Sequence, residues 1–376
     1  VARGAGRGSA ARDAAAIALF AAGVGALTAW ADSGVLLTLV MMTLYATLLA
    51  QSWNILGGFG GQFSFGHALF FGTGAYVQAV AQTVHGASPW AALPAAVVAA
   101  AAVGAFVGAL TFRYGLKGSY FALVTLAFAE VFRILAVTAG FTGGGVGLML
   151  PLRESFGNMQ FGSRKGFIVL ALGFVVAALG VTAWLRHSRF GAWLQAVRDN
   201  EDAARAVGVD PFRVKLGAIT LSGGFMGAAG AFYVQVFQYI DPAIAFGPAT
   251  SVEALVAAIV GGMGTLWGPV LGAVALHLLA EFTRNLFGQL PGLNMVIYGT
   301  VLVLIVMFLP RGLSGAGRSV RDAWGGRGAA GGSGGGTIGI VPAQRPGGSR
   351  AAGADRPTAP AMRASAGPVD GERRDG

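Results

Sequence analysis

Residues 55–74 read ILGGFGGQFSFGHALFFGTG. Glycines at 57, 58, 60, 61 and 66, together with Gln62, Ser64 and His67, interrupt an apolar run over 55–84 before a regular helical stretch resumes. A run of that length can cross a bilayer, which takes about 20 mainly apolar residues. Irregular backbone at membrane depth is tolerated only where protein or a water-filled cavity covers its N–H and C=O groups. The segment is therefore expected to be a broken or re-entrant helix inside a bundle.

Outward from this stretch, further apolar runs lie at 14–31, 35–51, 89–112, 118–139, 167–185, 214–238, 251–283 and 293–309. The run at 251–283 contains GGMGTLWGP (261–269) between two apolar halves and is too long for one simple crossing. The fold class that follows is all-α, a polytopic membrane helical bundle with about 8–10 spans and broken or re-entrant helices. Composition agrees: 11% of residues are charged, against about 25% in a soluble domain. With no cysteine, a disulfide framework and a thiolate metal site are both excluded. Neither a collagen-like period nor a zinc-binding HExxH motif is present.

The formal charge of +10 comes from basic residues at the two ends and in short connections. It predicts contact with membrane lipid headgroups and no nucleic acid. Residues 1–13 form a basic segment; Arg3, Arg7 and Arg12 precede the first run in the manner of a secretory signal. No convincing cleavage site follows and a new apolar run starts at Val35, so an uncleaved first span is expected. Arg186, Arg189, Arg198, Arg205, Arg213 and Lys215 place the long polar connection, 186–215, in the cytoplasm. Arg311, Arg318 and Arg321 suggest the same side for the chain after its last span. Only three runs separate the two, so one of them must cross twice or fail to cross, and 251–283 is the expected one. The membrane region covers 14–310; residues 311–376, rich in Gly, Ala, Pro and Arg, are expected to be a disordered tail.

The polar connection, HSRFGAWLQAVRDNEDAARAVGVDPFRVKLGAI (187–219), carries two helix starts. Asp199 or Asn200 can cap a short helix with Glu201 and Asp202 in its first turn, and Gly208 can end it in a left-handed conformation. Asp210 then caps a new helix with Pro211 at its first position. One reading is an ordinary solvated loop. The other is a docking helix whose small face, Ala203, Ala204 and Ala206, enters a groove on a soluble partner, with Arg205 at its edge and Glu201 either capping the helix electrostatically or meeting a basic groove on that partner.

Inside the spans, Asn54, Gln62, Ser64 and His67 gather at the glycine-rich break. They are expected either to satisfy the broken backbone or to face a solute pathway, where N–H groups freed near Gly66 would meet a carboxylate. Glu130 and Arg133, three residues apart on one helix, form an internal ion pair, face the pathway, or snorkel to water if the helix end lies near the interface. Gly143, Gly144 and Gly145, in TGGGVGL (142–148), indicate a flexible turn or close packing, and the stretch lacks the lysine of a phosphate-binding loop. Thr250 and Glu253 fit a capping box. Gly261, Gly262 and Gly264 mark a second bent, closely packed segment, and Glu281 with Arg284 an interfacial pair.

The stretch Glu201-Asp202-Ala203-Ala204, then Gly208, resembles the cytoplasmic coupling region of ATP-binding-cassette importer permeases, a Glu-Ala-Ala sequence followed by glycine. It departs by the inserted Asp202 and by the glycine spacing. SWNILGGFGGQFSFGHALFFGTGAY (52–76), GSYFALVTLAFAEVFRIL (118–135), TGGGVGL (142–148), GAWLQAVRDNEDAARAVGVD (191–210) and GGMGTLWGPVLGA (261–273) resemble the branched-chain amino-acid permease family, in particular the longer of its two paired membrane subunits. The resemblance runs from about residue 35 to 313. It implies alternating access with a sister permease subunit and a solute-binding protein outside the membrane. ATP and Mg would be bound by two ATP-binding subunits, with no cofactor, metal or catalytic residue in this chain. Asp199, Glu201, Ala204, Arg205 and Gly208 would couple to the ATPase. Leucine, isoleucine and valine are the implied solutes; related permeases handle urea, short amides and other amino acids. An ion-coupled carrier and a membrane enzyme are the readings from outside this class.

Overall fold

The computed structural model describes residues 2–287, 296–297, 299–300, 307 and 312–315. Helix α1 spans Ala2–Trp30, so the basic segment and first apolar run form one helix. Helix α2, Gly34–Trp53, is capped by Ser33 and continues as a π-helical turn over Asn54–Phe59. The interruption at 60–66 follows, then α3, His67–Thr83. The first part of 55–84 therefore belongs to the preceding helix, and the break starts three residues after the first glycine, Gly57. Helices α4 (Pro89–Arg113), α5 (Gly118–Thr138) and α6 (Arg164–His187) are single spans. The polar connection is largely helical: α7 is Arg189–Asp199 and α8 is Glu201–Ala206. Helix α9, Pro211–Phe237, re-enters the membrane. Helices α10 (Pro242–Phe246) and α11 (Pro248–Gly261) lead down to a turn at 262–267, and α12 (Gly268–Phe287) leads back.

The run at 251–283 is thus two helices joined by a turn and not one simple crossing. Gly312 lies directly against Gly261 and Gly262 at the turn between α11 and α12. The apolar run at 293–309 and the tail from 311 lie outside the described residues, apart from the few named. Among the described residues, seven helices meet the length and hydropathy of a span. Helix α3, at 17 residues, and α12 are not among them.

The centre of the bundle is α9 packed on α3 and α4. Six of the eight residues 223–230 of α9, GGFMGAAG, are Gly or Ala, and all of the eight but Phe225 are buried. A methyl group on Gly227 would collide with Ala100 of α4, and one on Gly74 of α3 would collide with the Gly227 backbone. Small residues let helix backbones meet closely where lipid provides no hydrophobic drive. Ser52 Oγ donates to the Ser222 carbonyl and Ser222 Oγ to the Ser52 carbonyl, both at 2.7 Å. This reciprocal pair ties α2 to α9, each bond contributing about 0.6–2 kcal/mol. A two-residue ribbon outside the membrane, which the sequence did not signal, pairs β1 (Leu148–Met149) with β2 (Tyr239–Ile240) in antiparallel register, Leu148 opposite Ile240. Gly143, at φ +76°, makes the turn that leads into it: a side chain there would strike the Gly147 carbonyl. Thr142 Oγ bonds the Ala136 carbonyl at 2.6 Å and closes α5. Gly144 also has positive φ, whereas Gly145 faces open space.

Candidate functional site

The two glycine breaks, distant in sequence, meet at the cytoplasmic side. Asn54 Oδ1 accepts from the Gly264 N–H at 2.7 Å, and Asn54 Nδ2 donates to the Thr265 carbonyl at 3.0 Å. One turn earlier, Gln51 Nε2 donates to the Leu266 carbonyl at 2.8 Å, while Gln51 Oε1 accepts from Thr182 Oγ of α6 at 3.2 Å. The backbone groups that the 262–267 turn takes out of helical pairing are thus satisfied by two amides of α2. Close approach is part of the lock: a Cβ on Gly58 would strike Asn54 and the Gly264 N–H, and one on Gly261 would strike the Gly268 carbonyl. Gly262, at φ 115°, ends α11.

The other polar residues of the first break are buried and serve the fold. Trp53 Nε1 donates to the Ser64 carbonyl at 3.0 Å, and Ser64 Oγ accepts from the Gly66 N–H at 3.2 Å. Gln62 Nε2 bonds the Gly60 carbonyl at 3.3 Å. His67 Nε2 meets Ser222 Oγ at 2.8 Å in a fully buried site. Gly66 lies against the Thr125 backbone of α5, with no room for a side chain. Ser64 and Gln62 thus bond the broken backbone, while Gln62 Oε1 and His67 Nδ1 are buried without a hydrogen-bond partner among the described residues.

From the lock the structure runs outward to the cytoplasmic helices. Helix α7 turns Gly191, Leu194 and Val197 inward. Arg198 follows, donating Nη1 to the Gly58 carbonyl at 3.1 Å and Nε to Asp199 at 3.0 Å. Sequence reading used Arg198 only as a marker of sidedness; the inward period of α7 is the signal that could have placed it. Asn200, not Asp199, caps α8, its Oδ1 accepting from the N–H groups of Asp202 and Ala203 at 3.0 Å. Gly208, at φ +87°, ends the helix, and Asp210 caps α9 with Pro211 at its first position.

Two expectations for α8 are corrected. Ala204 is 3% exposed and belongs to the core. The face turned to water is Ala203, Ala206 and Val207, because the inward face of so short a helix is the one that seats it. Glu201 does not wait for a basic groove. Its carboxylate takes Lys215 Nζ at 2.7 Å and Lys117 Nζ at 3.0 Å, with Arg205 at 3.5 Å. Burial pushes the Glu201 carboxyl up, but the hydrogen bonds from Lys215 and Lys117 outweigh it and hold the group below the usual carboxylate range. One residue thus joins α8 to the α4–α5 turn and to the base of α9. Arg205 remains at the edge, 63% exposed, near Asp202.

Glu130 and Arg133 form a bidentate pair on α5, Nε to Oε2 at 2.8 Å and Nη2 to Oε1 at 2.6 Å, on the outer face of the bundle. The capping box at Thr250 is a further correction. The N-cap of α11 is Gly247, because Pro248 starts the helix two residues earlier, and Glu253 is exposed without a hydrogen-bond or ion-pair partner among the described residues. Glu281 and Arg284 do pair.

The geometry is that of a multi-pass bundle with a cytoplasmic appendage rooted in its broken helices. A family model described as branched-chain amino acid transport system / permease component matches residues 35–306. The high-affinity branched-chain amino acid transport system permease protein LivM of Salmonella typhimurium is 31% identical over 296 residues, covering 72% of this chain and 68% of that protein. Its Escherichia coli counterpart is 30% identical over the same shares. The ribose import permease protein RbsC of Escherichia coli is 28% identical over 226 residues, 56% of this chain and 67% of that one. No solved structure matches the chain. The chain is a multi-pass protein of the bacterial plasma membrane and belongs to the permease component family of branched-chain amino acid transport systems.

Proposed function

We propose that this chain is one membrane subunit of an ATP-binding-cassette importer that moves leucine, isoleucine and valine by alternating access. A sister permease completes the membrane pathway, two separate subunits hold ATP and Mg, and a solute-binding protein delivers the amino acid outside. The observation that carries the reading is α8: a capped helix that turns Ala203 and Ala206 to water between the exposed charges Asp202 and Arg205, followed by Val207 at 78% exposure. A free loop has no use for such a face. A groove on a soluble ATPase subunit does. The ties from Glu201 to Lys117 and Lys215, and from Arg198 to Gly58, would carry a push on α8 to α5, α9 and the break in α2. The names of the relatives support the solute class, with the ribose permease as the specific observation for a second one.

The test is ATP hydrolysis by the purified four-subunit complex in lipid. Loaded binding protein should stimulate it, and A203W should abolish the stimulation while leaving the permease folded. Robust hydrolysis by this chain alone would contradict the division of labour.

A further inference from the structure

Helix α5 is held to the bundle along one stripe, with Phe121, Ala122, Thr125, Ala129 and Ala136 buried. The opposite stripe, Leu123, Ala127, Glu130, Val131 and Ile134, is exposed. Lys117 fixes the cytoplasmic end of the helix. At 1.5 Å per residue Glu130 lies about 18 Å and Arg133 about 22 Å along it, within a hydrocarbon layer about 30 Å thick. An arginine there that faced lipid would snorkel outward to the nearer interface. Arg133 does the reverse and reaches back one turn to Glu130. The side chains stay open, 51% for Glu130 and 35% for Arg133. Against lipid, or against a dry protein surface, the unused N–H groups and lone pairs of this pair go unbonded, which is costly even for paired charges. Water removes that deficit.

We infer that the exposed stripe of α5 lines the solute pathway, and that Glu130 and Arg133 bind the α-ammonium and α-carboxylate of a free amino acid. The inference rests on the amino-acid reading above. In the empty pathway the two groups neutralise each other. When a zwitterion arrives, the Glu130 carboxylate exchanges the guanidinium for the ammonium, and the Arg133 fork takes the carboxylate. No covalent bond forms and no proton moves. Leu123, Ala127, Val131 and Ile134 give the aliphatic side chain an apolar wall. An amine or an acid lacking the second charge leaves one protein charge unpaired, so it is rejected.

The absence of cysteine from the chain makes the test direct. Single variants A127C and I134C, with V98C on the exposed side of α4 as reference, are assembled with the partner subunits in liposomes. Each is labelled with a charged, membrane-impermeant methanethiosulfonate. Positions 127 and 134 should react at least about tenfold faster than 98, as water-lined positions do, and leucine should slow them. Rates equal to that of V98C, the result of lipid or a dry subunit contact, would overturn the inference, as would labelling that no zwitterion slows. The charge swap E130R/R133E keeps an ion pair for folding but reverses its direction. It should lose at least about tenfold in uptake, the loss expected from mismatched desolvated charges, and wild-type uptake by the swap would overturn the site. Protection by a zwitterion other than leucine would retire only the branched-chain reading, and protection by a neutral sugar would overturn the site.

Discussion

Ala204 is buried while Ala203 and Ala206, its neighbours on α8, are open to water. The two kinds of alanine should therefore answer differently to the same substitution. A204W forces an indole into a filled site at about 1–3 kcal/mol, so it should unseat α8 and raise tryptic cleavage at Arg205. A203W should leave the cleavage pattern unchanged and act only when the ATPase subunits are present. Glu201 permits a pH experiment whose sign is fixed. Its carboxyl is held below the usual range in the folded chain, so its contribution is complete above about pH 4.3, the unfolded value, and is lost as pH falls through the lower folded value. E201Q at neutral pH should reproduce that loss, about 1–2 kcal/mol for a charge-assisted contact. A shift of the α8 cleavage midpoint to neutral pH in the wild-type chain would contradict the assignment. Sequence made the cap, the first-turn acids and the terminal glycine of α8 legible because these are local chemistry. It hid the two lysines, since Lys117 is 84 positions away and only the fold brings it to Glu201.

The breaks in α2–α3 and α11–α12 are where element-scale order is decided. Each was legible as a glycine-rich interruption of an apolar run. That they lock together through Asn54 and Gln51 was not, because a polar residue in a span announces a partner without naming it. N54A leaves the Gly264 N–H and the Thr265 carbonyl unbonded in a largely buried setting, a loss of about 1–3 kcal/mol. It should lower the temperature at which detergent-solubilised permease loses its monodisperse elution peak; N54D, which sets a buried carboxylate oxygen against the Thr265 carbonyl, should lose at least as much. Helix packing gives a matched pair of the same kind. G227L places a branched side chain against Ala100 and the carbonyl of Ala96 and should prevent folding. G173L, on an open face of α6, should be tolerated. Equal yields of the two variants would contradict the α3–α4–α9 centre.

At the scale of the whole molecule, a chain of long apolar runs with cytoplasmic arginines becomes a bundle whose cytoplasmic appendage is anchored at three places. Arg198 holds the Gly58 carbonyl, Glu201 holds Lys117 and Lys215, and Ala204 seats α8 in the core. Parity of the basic connections singled out 251–283 as the run that is not one simple crossing, an argument that needs no exact helix boundary, and the structure folds it into two helices. The exposed face of α5 was beyond sequence reading, since an i, i+3 ion pair looks the same whether it is covered or open. The most direct test of the account is uptake of labelled leucine into liposomes carrying the complex, with ATP inside the same compartment as the ATPase subunits. Accumulation should require ATP, the binding protein and both permeases, and should fall to background with A203W while the subunits remain folded. Uptake that persists without the ATPase subunits and collapses with an ion gradient would contradict it.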